Sequence, residues 1–345
     1  MKAAVYHAVK DVRLEEVPIP EIKPGKIKVK VKYAGICGSD LHAYHHGIGV
    51  QTGTPHPISG MQAPLTLGHE FAGVIEEVGE GVAGYQAGDR VAIEPIIYCG
   101  ECESCRSGRY NQCARMGFVG LNDNGGFAEY VLVEPYMVHK LPDNVSFEEG
   151  ALVEPTAVAM HAVRQSKLKV GDSAAVYGVG PIGLLTILGA KSAGASKIYA
   201  VDVSDERLAL AEKLGAIPIN SLKQNATEII LAGGGVHVAY EAAGVQPTFS
   251  SALSSVKRGG EVMVIAAFAQ PAQINMLELM GKEANVTSIL AYRHIFPEII
   301  ALIADGKLEV AKVITKKIQL DQIIEDGLEL LVKDKSQAKI LVQIN

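Results

Sequence analysis

The sequence predicts an α/β chain in two parts, a partly closed β-barrel followed by a doubly wound parallel sheet. Three observations carry that expectation. Up to about residue 150, short alternating or β-branched runs (26–33, 71–78, 90–97 and 127–133) are separated by Gly- and Pro-rich clusters (18–25, 79–88, 122–126). That is the rhythm of strands and turns. From about residue 151, helix-period stretches (151–165, 182–193, 205–214, 247–256) alternate with strand-like runs (173–177, 197–201, 236–240, 261–266, 286–290). Such alternation marks a parallel sheet wound on both faces. Third, a glycine turn, GVGPIG, joins one of those strands to one of those helices. After about residue 290 the chain reads as helix and then short strand, ending on 339–343, and this tail is expected to return to the first part. The expected division is 1–152, 153–290 and 291–345, with no repeat and no disordered linker.

The turn organises the second part. The apolar run 173–177 leads into Gly178, Gly180, Pro181, Ile182 and Gly183; the strand 197–201 then ends on Asp202, 19 residues past Gly183. Strand, G-x-G-x-x-G, helix, strand and acid in that order form a dinucleotide-binding unit. Gly178 permits the turn, Gly180 lets the backbone approach a pyrophosphate, and Gly183 lets helix and strand pack closely. The helix N-terminus offers unpaired N–H groups to the anion. Asp202 can accept from the adenosine ribose hydroxyls, and its charge repels a 2′-phosphate, so NAD is expected over NADP. Lys197 and Arg207 are the nearby cations that weigh the other way.

Composition narrows the class. The chain has 345 residues, 48% hydrophobic and 20% charged, ordinary for a globular enzyme large enough to bury a substantial core. A net charge of −6 and a pI near 6.0 give no basic footprint for nucleic acid. No apolar run has membrane-spanning length and the N-terminus shows no signal-peptide core, so a cytoplasmic protein is expected.

Four of the five cysteines fall within fifteen positions: Cys99, Cys102, Cys105 and Cys113, spaced C-x2-C-x2-C-x7-C. In a reducing compartment that clustering points to metal rather than disulfides. Four thiolates from one loop suit a closed tetrahedral zinc site. A ferredoxin cluster would place its fourth cysteine after three residues and follow it with proline; here seven intervene and Ala114 follows. Cys37 lies in GICGSDLH, His69 and Glu70 in GHE, and Glu154 in VEP. One thiolate, one imidazole and a carboxylate make an open metal site with room for water or substrate. On spacing alone this signal is weak, and buried filler for Cys37 and a helix cap for Glu154 are the commoner readings.

Together these motifs resemble the zinc-containing medium-chain alcohol and polyol dehydrogenases. The likeness is carried by GHEFAGV with Gly79, Gly81 and Val82, the cysteine lobe, GDRV at 88–91, GFAEY at 126–130 and GVGPIG, all in that order. Within that family the chain is most similar to the bacterial (R,R)-2,3-butanediol dehydrogenases, through GICGSDLHAY, CGECESCRSGRYNQC, MGFVGL, GALVEPTAVAMHAVRQSKLKVGD, YGVGPIGLL and YRHIFPEII. The resemblance implies a GroES-like β-barrel catalytic domain and a Rossmann coenzyme domain. It implies one catalytic and one structural zinc per chain, NAD, and a homodimer or homotetramer. Cys37 and His69 would ligate the catalytic zinc, with Glu70 and Glu154 sharing the remaining protein position. Glu154 stands where many relatives carry a second cysteine ligand, which groups the chain with the polyol-type enzymes. Ser39 and His42 would form a proton relay. Arg207 would reach the adenosine ribose. Residues 265–267, Ala266 among them, and the pair Tyr292 and Arg293 would line the nicotinamide half. Tyr44, His45, His46 and His56 fall in or beside segment 45–63, read as a surface loop, and are expected to face solvent. The implied reaction is oxidation of (R,R)-2,3-butanediol to acetoin; L-threonine and sorbitol are the sibling substrates, and a non-catalytic NAD-binding protein is the alternative of another class.

Overall fold

The computed structural model describes residues 1–50 and 52–345; Gln51, in the 45–63 segment, lies outside the described residues. The first part is built on the strand Ile27–Gly35, whose Ile27, Val29 and Val31 are buried while the lysines between them are half-exposed. That period of two is what a sheet with one covered face requires. The sheet runs Val138–Lys140, Arg90–Ile93, Glu70–Val78, Ile27–Gly35, Lys339–Gln343, Ile314–Gln319, and Tyr130–Val133 also pairs with Ile27–Gly35. The C-terminal tail therefore supplies two strands to the N-terminal sheet. Leu341 faces Gly35 and Gln343 faces Tyr33 in an antiparallel register.

The second part is a six-stranded sheet in the order Ile217–Asn220, Lys197–Asp202, Ser173–Tyr177, Val236–Glu241, Val256–Val264, Asn285–Ser288, with every neighbouring pair parallel. Strand order reverses beside Ser173–Tyr177, and a crevice opens at the carboxyl ends of strands where that happens. The helix Pro181–Ser192 starts there, with Pro181 at its first position, where a missing N–H costs nothing. Buried residues from both parts join in one apolar cluster, from Ala72 and Ala92 to Leu184 and Ile299.

Several elements differ from the expectations. The run 90–97 is cut into Arg90–Ile93 and Ile96–Ile97, with Pro95 between them, since proline cannot donate to the ladder. The run 127–133 is a strand only over Tyr130–Val133. The run 261–266 belongs to a longer strand that begins at Val256 and ends at Val264. Ile217–Asn220, with Pro218, and the helices Ala226–Ala232 and Met276–Lys282 were not foreseen. The 45–63 loop reading is corrected at its start: His45 and His46 close a helix, Gly38–His46, capped by Gly47 at φ +68°.

Candidate active site

Cys37 ends the strand-to-helix connection after Ile27–Gly35, and His69 and Glu70 open the neighbouring strand Glu70–Val78, with Gly35 directly opposite Glu70. A side chain at Gly35 would collide with the Glu70 carboxylate, so glycine is required there. Cys37 Sγ, a His69 ring nitrogen and a Glu70 oxygen all lie within 4.8 Å of one another. The imidazole is oriented from behind. Asp40 Oδ1 stands 3.5 Å from His69 Nδ1, while Asp40 Oδ2 accepts from the Cys37 backbone N–H at 2.9 Å. His69 Nε2 points the other way, 3.0 Å from Ser39 Oγ. A carboxylate behind one ring nitrogen with the other left facing a cleft is the usual support of a metal-binding histidine. Burial alone would depress the His69 pKa, but the charges of Asp40 and Cys37 outweigh it and raise it well above the usual value.

Two carboxylates share this neighbourhood, and they are not equivalent. Glu70 is fully buried and holds Lys339 Nζ with both oxygens, at 2.8 and 2.6 Å; the same ammonium donates to Ile36 O at 3.0 Å. Glu154, in the first turn of the helix Val153–Gln165, is 5% exposed and accepts from Tyr292 O–H at 2.8 Å. Burial pushes its carboxyl up to about 7, with Glu70's charge acting in the same direction and His69 and Lys339 against it. Glu154 is thus a carboxyl whose charge is costly here without a further cation. Thiolate, imidazole and carboxylate donors facing one space fit a zinc ion. Lys339, Asp40 and the Tyr292 contact with Glu154 were not foreseen. Asp40 was visible in GICGSDLH, but nothing in the sequence joins Lys339 to Glu70.

Ser39 and His42 leave the helix Gly38–His46 three residues apart, on one face. Ser39 is half-buried beside His69 and His42 is exposed. Of the residues expected to face solvent, His46 does, His45 is half-buried, and two are corrected: Tyr44 and His56 are 5% and 4% exposed. Tyr44 donates to Glu329 Oε1 at 3.0 Å, and His56 Nδ1 stands 3.5 Å from Ser59 Oγ.

The cysteine lobe forms a second donor set. All four Sγ atoms lie within 4.8 Å of one another, with Cys99 3.9 Å from Cys105 and 3.5 Å from Cys113. A ZnS₄ tetrahedron with bonds of about 2.3 Å has edges of about 3.8 Å, so the lobe fits zinc. Backbone N–H groups of Glu101 and Cys102 pull Cys99 down to about 6, which favours the thiolate a metal needs.

At the glycine turn, Gly178 has φ +86° and a side chain there would strike Ala243; one on Gly183 would strike the Gly178 carbonyl. Asp202 Oδ2 accepts from Val179 N–H at 2.7 Å, and Oδ1 from Val203 and Ser204 N–H at 2.7 and 3.0 Å. A cleft of about 480 Å³ opens beside it, lined by Tyr177, Val201, Ser221, Lys223, Asn225 and Thr248. Arg207 reaches the turn, with Nη1 3.9 Å from where a Gly180 side chain would begin, yet Nε and Nη2 are held by Gln337 O at 3.1 and 2.8 Å. Ala266 follows the strand Val256–Val264 and packs near Gly244. Arg293 is turned to Asn111 Oδ1 at 3.1 Å, linking the tail to the cysteine lobe.

The alcohol dehydrogenase GroES-like domain family matches residues 23–143, and the zinc-binding dehydrogenase family matches residues 181–305. The chain is 48% identical over 350 residues to the (R,R)-butanediol dehydrogenase of Bacillus subtilis, covering all of both chains. A crystal structure of 2R,3R-butanediol dehydrogenase from the same organism superposes with a TM-score of 0.95, over 100% of this chain and 99% of that one. A zinc-binding dehydrogenase of Sinorhizobium meliloti bound to NADP superposes at 0.92, with 31% identity and 99% of each chain covered.

Proposed function

This chain belongs to the zinc-binding alcohol dehydrogenase family, and from that premise we propose that it interconverts (R,R)-2,3-butanediol and acetoin with NAD as its coenzyme. The balanced reaction is (R,R)-2,3-butanediol + NAD⁺ ⇌ (R)-acetoin + NADH + H⁺. The observation that carries it is the open donor set of Cys37, His69 and Glu70 with a second buried carboxylate, Glu154, nearby. A diol brings two hydroxyls to such a site, and a carboxylate can accept from the one that does not react.

A zinc ion held by Cys37, His69 and Glu70 or Glu154 supplies Lewis acidity, which for water lowers the pKa from about 16 to about 7. NAD⁺, which the turn at 178–183 and Asp202 would hold, would supply the hydride acceptor. The protein's own residues do the rest. Asp40 holds His69 in one orientation. Ser39, beside His69 Nε2, would accept the proton of the reacting hydroxyl while releasing its own, and exposed His42 would carry the released proton on to solvent. The cysteine lobe has no open position and serves stability alone.

The repulsion of a 2′-phosphate by Asp202 supports NAD over NADP. No helix among the described residues is long and apolar enough to cross a membrane. The sheet edge Asn285–Ser288 is flanked by exposed Leu277, Met280 and Leu290, and an uncovered edge with apolar neighbours supports a homo-oligomer.

The test is NADH formation from NAD⁺ with (R,R)-, meso- and (S,S)-2,3-butanediol, L-threonine, sorbitol and ethanol. Preference for the (R,R)-diol is expected. Preference for threonine or sorbitol would overturn the substrate while leaving the chemistry, and no turnover by zinc-replete protein would overturn both.

A further inference from the structure

The helix Gly38–His46 ends with histidines at 42, 45 and 46, and only His42 has a part in the reaction above. His42 and His46 stand four residues apart and leave the same helix face one turn apart. That is the spacing at which two helical histidines chelate a metal ion. Their ring centres are 6.3 Å apart with planes inclined by 35°. Both side chains are exposed, and among the described residues neither ring makes a hydrogen bond or ion pair. A tetrahedral ion about 2.1 Å from a nitrogen of each ring sets the centres about 5 Å apart. About 1 Å of closure is therefore required, which rotation about χ1 and χ2 of two exposed side chains supplies. A third imidazole adjoins the pair. The His45 ring lies 6.1 Å from that of His46 and edge-on to Tyr44, and its buried Nε2 has no partner among the described residues.

We propose that His42 and His46 form a third metal site, distinct from the two donor sets above, for a divalent transition ion that favours imidazole, such as Zn²⁺. The ion takes the ring lone pair of His42, so the histidine can no longer accept a proton from Ser39. Occupancy therefore slows turnover, and the enzyme is held back by the free concentration of the same metal it needs. This consequence rests on the relay reading of His42; the chelate itself does not.

The experiment titrates Zn²⁺ into protein already carrying its full zinc complement, followed by calorimetry and, in parallel, by rate. The wild type should take up one further, weaker ion per chain and lose turnover as that ion binds. His46→Gln should keep its basal turnover, bind the extra ion at least tenfold more weakly, and need at least tenfold more zinc for the same inhibition. His42→Gln should show the same loss of binding by calorimetry. An extra ion bound equally well by both variants would overturn the site. Binding lost in both variants, but without effect on wild-type rate, would support the chelate and overturn the relay role of His42. Should none of the alcohols turn over, the calorimetry still decides the chelate.

Discussion

Lys339 Nζ lies 2.8 and 2.6 Å from the two oxygens of Glu70, a pair 269 residues apart in sequence and 1% and 0% exposed at the side chains. Burial by itself would lower the Lys339 pKa, but the Glu70 carboxylate outweighs it and raises it. The pair fastens the last strand, Lys339–Gln343, to the strand Glu70–Val78 beside Cys37 and His69. It also answers a Glu70 charge that would otherwise sit unpaired in the interior.

Removing the lysine should therefore be costly. Lys339→Met leaves Glu70 buried without its cation, a loss of about 3–5 kcal/mol for a broken buried pair. Urea unfolding of the variant and the wild type, both stripped of metal, should show it; a midpoint unchanged from wild type would mean that Glu70 finds another partner.

Coenzyme choice should turn on Asp202. Asp202→Asn removes the charge but keeps an acceptor for Val179 N–H, which Oδ2 now takes at 2.7 Å. The ratio of kcat/KM for NADP⁺ to that for NAD⁺ should rise at least tenfold, roughly 1.4 kcal/mol. Steady-state rates with both coenzymes check this, and an unchanged ratio would assign the discrimination elsewhere, with Lys223 and Arg207 the next residues to change.

The cysteine lobe should govern stability and leave the chemistry alone. Cys102→Ser should lower bound zinc from two ions per chain to one and lower the melting temperature, with the remaining ion still supporting turnover in the surviving folded fraction. Metal analysis beside thermal melts makes the distinction. A variant retaining two ions would show that three thiolates suffice.

Stability should also fall on mild acidification through His161. This side chain is 2% exposed on the helix Val153–Gln165, and burial, then the charges of Arg293 and Arg164, lowers its pKa to about 4. An unfolded histidine titrates near 6.5. Between those values the unfolded chain binds the proton and the folded chain does not. The His161 contribution is therefore constant above about pH 6.5 and is lost as pH falls toward 4, by roughly 3 kcal/mol in all. Unfolding free energies from pH 7 to 4 should slope less in His161→Gln than in wild type. Parallel slopes would place the proton uptake on other groups.

Much of this was legible in the sequence because it is local. The cysteine spacing, the turn at 178–183 and the strand Ser173–Tyr177 each depend on residues within one short stretch, where chain geometry leaves few alternatives. Strands such as Ile217–Asn220 were hidden because proline and brevity erase their pattern. They exist because a parallel neighbour, Lys197–Asp202, supplies the hydrogen bonds.

The sequence by itself carried the cysteine spacing, the glycine turn and the order of the strand-rich and alternating parts, since each is written in side-chain types within short stretches. Only the tertiary structure decided that Glu70 belongs to Lys339, that Glu154 is held by Tyr292, that Asp40 stands behind His69, and that Arg207 and Arg293 are tied to Gln337 and Asn111. These contacts are fixed by the return of the tail across the first strand and by packing between the two parts. Sequence separation carries no information about which buried charge will need which partner; the low-polarity interior does, because it leaves none of them unpaired without cost.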